Sequence, residues 1–163
     1  MYKRQLFQHF KLISVIIVAS TILLDYATKV FVHQLIPLHN SVNLIPGFLN
    51  ITHVRNTGAA FGILNAVDFP FKTSIMIGIA LLALVVLTLY AYKMNLQGNS
   101  GRIGFALIVG GAIGNLIDRA STGYVTDFID VFWGTYHFWA FNIADATITI
   151  GAVLLLLDTV ESE

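Results

Sequence analysis

The sequence predicts an all-α membrane protein, four transmembrane helices with a small β-rich outer-surface segment between helices one and two. Three observations predict it. Four apolar runs each approach the ~20 residues that cross a hydrocarbon core at 1.5 Å per residue. Hydrophobic residues fill 56% of 163 positions and charged ones only 11%, against about 25% charged in ordinary globular domains. The stretch FLNITHVRN, Phe48 to Asn56, roughly alternates apolar and polar residues with β-branched side chains, which is the period of short strands.

The first run, Leu12 to Ile36, is interrupted by Asp25, Lys29 and His33 and predicts a helix over about 12–34. A cleaved signal peptide competes for it, with Lys3, Arg4 and Lys11 as the basic region and Val18-Ala19-Ser20 as a small-residue cleavage site. Apolar character resumes beyond Thr21, however, and nothing downstream reads as a soluble domain, so a retained helix is the better reading. An outer segment over about 37–72 follows. Ile75 to Tyr92 holds no charge and predicts a helix over about 73–93. Ile103 to Ile117 is glycine-rich and slightly short, so it borrows Asp118 and Arg119 at an interface, giving about 102–119. A second outer segment spans about 120–137, and Phe138 to Leu157 predicts the last helix over about 138–158. In lipid each run must satisfy its own backbone hydrogen bonds, which favours helices throughout. The whole chain, 1–163, reads as one integral-membrane domain.

Lys3, Arg4 and Lys11 before helix one, and Lys93 and Arg102 between helices two and three, place both termini in the cytoplasm by the positive-inside rule. Arg55, Lys72 and Arg119 then fall outside. Formal net charge is zero, so no nucleic-acid partner is expected. The absence of cysteine excludes disulfides, thiolate catalysis and cysteine-ligated metal.

With that topology the costly polar groups gather at one depth, near the outer leaflet. Asp25 and Lys29 come from helix one, Arg55 and Asn56 from the first outer segment, and Asn115, Asp118 and Arg119 from the end of helix three. Asp127 lies in the second outer segment, and Asn142 and Asp145 lie in the fourth run. An intramembrane carboxylate costs roughly 2.5–3.5 kcal/mol on insertion scales, so Asp145 is a functional candidate. Joined by Asp127 it would form the minimal equipment for activating water against an amide. Asn115, Asp118 and Arg119 stand at i, i+3 and i+4 on one helix face, and Asn142 and Asp145 repeat the i, i+3 step. Gly110, Gly111 and Gly114 let a second helix approach closely. If helix four starts at Phe138, Asp145 lies seven residues in, roughly 10 Å deep. Blander readings stand beside these. Asp118 with Arg119 reads as a structural interfacial pair, Asp145 alone as a packing residue, Arg55 as a surface anchor, and His33, His39 and His53 as interfacial residues.

Five blocks, LDYATK (Leu24–Lys29), RNTGAAFG (Arg55–Gly62), GGAIGNLIDR (Gly110–Arg119), VTDFID (Val125–Asp130) and FNIADATIT (Phe141–Thr149), resemble the lipoprotein signal peptidases, or signal peptidase II, in the family's order. One departure is Tyr26, where the family usually has glutamine. The resemblance implies a bacterial aspartyl endopeptidase of the cytoplasmic (inner) membrane, active toward the outer leaflet and needing neither cofactor nor metal. Asp127 and Asp145 match the catalytic pair, and Asn56, Gly58, Asn115, Arg119 and Asn142 match positions that support the site or bind substrate. Asp25, Lys29 and Asp118 match structural polar positions, the first two as an ion pair at i, i+4. Gly58, Ala59 and Ala60 are small enough to lie over a scissile bond. The implied partners are diacylated prolipoproteins, cut just before the lipidated cysteine, together with membrane lipid and a globomycin-type inhibitor. The expected state is a monomer.

Other classes fare worse. A transporter or channel predicts acids spread through the membrane's depth, whereas helix two carries none. HExxH is absent, which disfavours a metal-dependent hydrolase, and no G-x-S-x-G-like motif supports a serine protease of the rhomboid type.

Overall fold

The computed structural model of the chain describes residues 2–59, 62–94 and 98–161. Ala60 and the side chains of Lys3, Arg4 and Lys11 lie outside the described residues. Four α-helices, α1 (Tyr2–Leu35), α2 (Lys72–Met94), α3 (Asn99–Thr122) and α4 (Ile143–Glu161), frame one antiparallel sheet. The sheet consists of β1 (Ser41–Ile45), β2 (Leu49–Asn56), β3 (Val125–Trp133) and β4 (Tyr136–His137), in that spatial order. Each helix contains a segment long and apolar enough to cross a membrane.

α3 is the central helix and packs on α1, α2 and α4. Its glycines set those distances. An added Cβ at Gly104 would lie 2.6 Å from the Gly151 carbonyl oxygen of α4, and one at Gly151 would lie 2.5 Å from that of Gly104. At Gly110 the obstacle is the Thr21 side chain of α1, at 2.8 Å, and at Gly111 it is the Ala144 carbonyl of α4. Small residues on both faces thus let α3 press against two helices at once, the packing device of membrane bundles. α2 has the opposite character. Leu82, Val86 and Leu89 stand 64%, 58% and 63% exposed, surfaces only lipid can solvate.

β1 and β2 join through Pro46, Gly47 and Phe48, with Gly47 at φ 75, a left-handed conformation that glycine adopts without steric cost. β2 pairs with β3 in the register Val54↔Asp127, Arg55↔Thr126 and Asn56↔Val125. The β-rich expectation for Phe48 to Asn56 is met by β2, and the sheet extends further than expected, because Ser41–Ile45 forms β1 and VTDFIDVFW of the second outer segment forms β3. Pairing between β2 and β3 is what carries Asp127 back to the helix ends.

Helix four begins at Ile143, not at Phe138 as the apolar run suggested. Phe141 is held extended against β3: its N–H donates to the Ile129 carbonyl at 3.1 Å, and its carbonyl accepts from the N–H groups of Phe128 and Ile129 at 2.9 and 2.8 Å. These strand bonds compete with helix formation and win. Asp145 is therefore the third helical residue, two steps or about 3 Å along the axis from Ile143 rather than about 10 Å from Phe138.

Candidate active site

The site grows from the start of α4. Asn142, fully buried, is the residue before the first helical position. Its side-chain oxygen accepts the Asp145 N–H at 2.9 Å, and the Asp145 carboxylate accepts the Asn142 N–H at 3.4 Å. This reciprocal capping box satisfies two backbone donors that a helix N-terminus leaves open. The other end of the Asn142 amide reaches β3, donating to Asp127 Oδ1 at 2.8 Å and lying 3.4 Å from the Thr126 carbonyl. One asparagine thus bonds both aspartates.

Neutral amides occupy the remaining oxygens. Asn56 of β2 donates to Asp127 Oδ2 at 3.0 Å, and Asn115 of α3 donates to Asp145 Oδ1 at 2.8 Å. Among the described residues neither carboxylate has a cation within ion-pairing distance. Burial, reinforced by the nearby Asp145 charge, pushes the Asp127 carboxyl up to about 7 against the opposing pull of the Asn56 and Asn142 amides. Asp127 therefore holds or gives up a proton near neutrality.

A second polar cluster backs this one. Lys29 bonds Asp25 at 2.6 Å, Asp118 at 2.9 Å and the Asn115 side-chain oxygen at 3.2 Å. The i, i+4 spacing of Asp25 and Lys29 does place them together. Asp118, however, turns to Lys29 and to the Thr126 N–H (3.3 Å), so its expected pairing with Arg119 is replaced by a tie between α3, α1 and β3. The other Asp25 oxygen accepts the Ala144 N–H at 2.9 Å, tying α1 to the first turn of α4. Asp25 and Lys29 are 1% and 3% exposed. Removing one partner of such a buried pair costs about 3–5 kcal/mol, because the other charge is left uncompensated.

Arg119, one turn beyond Asn115, donates to the Gly58 carbonyl at 2.8 Å, which brings the segment after β2 to the site. A Cβ at Gly58 would collide with the Ile63 carbonyl, so only glycine permits this fold-back. Asn56 fixes the entry: its side-chain oxygen accepts the Gly58 N–H at 2.9 Å, leaving its amide nitrogen for Asp127. His33 and His53 meet edge-on at 4.5 Å, and His33 reaches the Thr126 hydroxyl at 2.9 Å, holding the strand residue beside Asp127. Tyr26, 59% exposed, lies off the site. Among the described residues no three His, Asp or Glu side chains converge to hold a metal ion.

Thr126 was not singled out from sequence, and neither was the capping box. The pattern Asn-x-x-Asp before an apolar run was the available signal for the latter.

A family model described as signal peptidase (SPase) II matches residues 17–161. The lipoprotein signal peptidase of Geobacter metallireducens is 38% identical over 148 residues, covering 91% of this chain and 90% of its own. That of Haemophilus influenzae is 43% identical over 145 residues, covering 89% and 84%. A solved bacterial membrane enzyme superposes with a TM-score of 0.78 at 36% identity over 91% of this chain and 87% of its own. A second gives 0.75 at 32% over 92% and 94%. With the bundle, the sheet and nearly the full length in agreement, the chain belongs to the signal peptidase II family.

Proposed function

We propose that this chain is an aspartyl endopeptidase of the bacterial inner membrane that removes the signal peptide from diacylglyceryl-modified prolipoproteins, cutting before the lipidated cysteine. The observation that carries the reading is Asn142, whose backbone and side chain bond Asp145 and Asp127 at once. Two carboxylates tied to one asparagine, the charge of one felt by the other, compete for one proton. Asp127, the member pushed up to about 7, holds it. Asp145 takes a proton from water, whose oxygen attacks the scissile carbonyl carbon while Asp127 donates to the carbonyl oxygen. Collapse of the tetrahedral species breaks the C–N bond: the leaving nitrogen receives the proton taken by Asp145, and a hydroxyl of that species returns a proton to Asp127 as the product carbonyl forms. Asn56, Asn115 and Asn142 orient the pair through the bonds described above, and Arg119 and Gly58 offer polar contacts to peptide backbone. Asp25, Lys29 and Asp118 hold the helices together behind it.

The position of the pair explains the lipid requirement. A soluble peptide would carry unpaired backbone groups to the mouth of a membrane-embedded helix, at several kcal/mol for each group stranded in hydrocarbon. A substrate held by its signal helix and two acyl chains arrives sideways through lipid. Asp145 lies shallower than the apolar run suggested, but Asp127, a residue of β3, is only 3% exposed. A globomycin-type cyclic peptide competes with substrate for the same site, and the chain works as a monomer. Purified protein should cleave a diacylated prolipoprotein peptide and leave its unlipidated form intact; equal turnover of both refutes the lipid-specific reading. The active side faces outward, with both termini cytoplasmic. Single cysteines at Asn50 and Gly98 should then label from opposite sides of the membrane, and labelling of both from one side overturns that orientation.

A further inference from the structure

We propose that Lys72 and Asn65 are positioning residues of this enzyme, which brace the segment after β2 so that Asn56 and Gly58 are presented to Asp127 and Arg119. The inference rests on the aspartyl reading above but on different residues.

Lys72 opens α2 and is only 8% exposed, an unusual setting for an ammonium group. All three of its acceptors are uncharged and lie in the connection it closes: the Thr57 hydroxyl at 2.9 Å, the Asn65 carbonyl at 3.2 Å and the Val67 carbonyl at 2.7 Å. An ammonium has three N–H donors and no acceptor, so this set uses its full capacity. Asn65 closes the same loop from the other side. Its side-chain oxygen takes the Thr57 N–H at 2.9 Å and lies 3.0 Å from the Thr57 hydroxyl. The Ala59 N–H adds a bond to the Ile63 carbonyl at 2.8 Å. Thr57 is thereby gripped at backbone and side chain.

Thr57 sits between the two residues that touch the site. On one side, Asn56 has its amide oriented by the Gly58 N–H, which occupies the oxygen and turns the nitrogen toward Asp127. On the other, Gly58 gives its carbonyl to Arg119. If Thr57 is released, both contacts loosen together. The three acceptor oxygens carry no charge, so they recover only part of the desolvation cost of a buried ammonium, and what they do supply is order in the connection.

The test compares Lys72→Met, Asn65→Ala and Asp127→Asn with the wild type in detergent. Amide exchange by mass spectrometry over Thr57–Ala59 and Gly62–Val67 reads the brace without reference to activity. Turnover of a diacylated prolipoprotein peptide reads its effect on chemistry. K72M and N65A should each speed exchange in those stretches and lower kcat about 10- to 100-fold, the scale of a small misplacement of reacting groups, while KM stays within about twofold. The alkaline limb of the pH profile should move upward in both, because the Asn56 amide that favours the ionised form of Asp127 is less well held. A purely structural lysine would leave that limb in place. Wild-type kcat in both variants, or lost kcat with unchanged exchange and an unmoved limb, overturns the proposal. If K72M does not accumulate in the membrane, N65A decides by the same readings. Turnover retained by D127N would sink the aspartyl reading instead, and exchange in K72M would still decide the brace.

Discussion

The helix pair α3 and α4 holds a carboxylate at each end, and the two ends use it differently. At the end away from the sheet, Asp158 of α4 is 5% exposed, accepts the Ser100 hydroxyl at 2.8 Å and crowds Gly98 and Gly101 at the start of α3. There one acid meets the open donors and positive dipole end of a neighbouring helix, an arrangement that stabilises a fold. At the other end Asp145 sits on the first turn of its own helix, and a second acid, Asp127, is brought onto the same asparagine. The first acid could have been satisfied alone. Adding the second brings two carboxyls into competition for one proton, and in the proposed reading that is the step from a cap to a reactive pair.

The largest effect should come from removing either member. Asp127→Asn and Asp145→Asn should each lower turnover about 10,000-fold or more, and the double variant should lose little beyond either single one, because the pair acts as a unit. Normal insertion and near-native melting keep the comparison valid. Substantial activity in either well-folded variant would reduce this end of the bundle to a second cap.

A smaller effect is the pH response, which only the paired end should show. The ordinary value for an aspartate is 3.8 and Asp127 is raised to about 7. The proton-bearing form therefore declines as pH rises through about 7, and kcat should decline with it. Stability follows the same sign. Because the folded value lies above the unfolded one, the contribution is complete below about pH 4 and lost as pH climbs through about 7. D127N should lack this slope in thermal melts between pH 4 and 8. Parallel slopes in the two proteins would mean that Asp127 is not the titrating group.

The smallest effect is expected at Asp158. Asp158→Asn keeps an oxygen for Ser100 and removes the charge from the start of α3. It should cost about 1 kcal/mol of stability, the usual worth of a cap, and leave kcat within about twofold, as expected for a distant and independent site. A loss of activity comparable to D127N would show that the two ends are coupled.

Much of the paired end was legible in the sequence because membrane burial makes polar groups conspicuous. Asp25, Lys29, Asn115, Asp118, Asp127, Asn142 and Asp145 stand out against apolar runs, and the structure gathers them into one linked network. Helical spacing placed Asn115 and Arg119 on one face, as found. The start of α4 was not legible, since Phe138 to Phe141 is as apolar as a helix interior and only its pairing with β3 keeps it extended. β3 was missed for a related reason: its β-branched and aromatic residues are also compatible with a loop, and its partner β2 lies 69 residues away by the pairing of Asn56 with Val125. Lys72 drew notice only as a charge for orientation. Its three acceptors are set by a loop closure that no periodicity encodes.

The capping box at Asn142 also bears on when a chain of this kind becomes dangerous to its neighbours. Asp127 and Asp145 are joined through Asn142 only after α4 has started at the right residue and β2, separated from β3 in sequence by α2 and α3, has paired with it to bring Asn56 to Asp127. A nascent chain with its helices inserted but its outer sheet unformed would hold two separated acids with no common partner. If the proposed dyad is the catalytic pair, cleavage would therefore begin only once the sheet and the start of α4 are both in place.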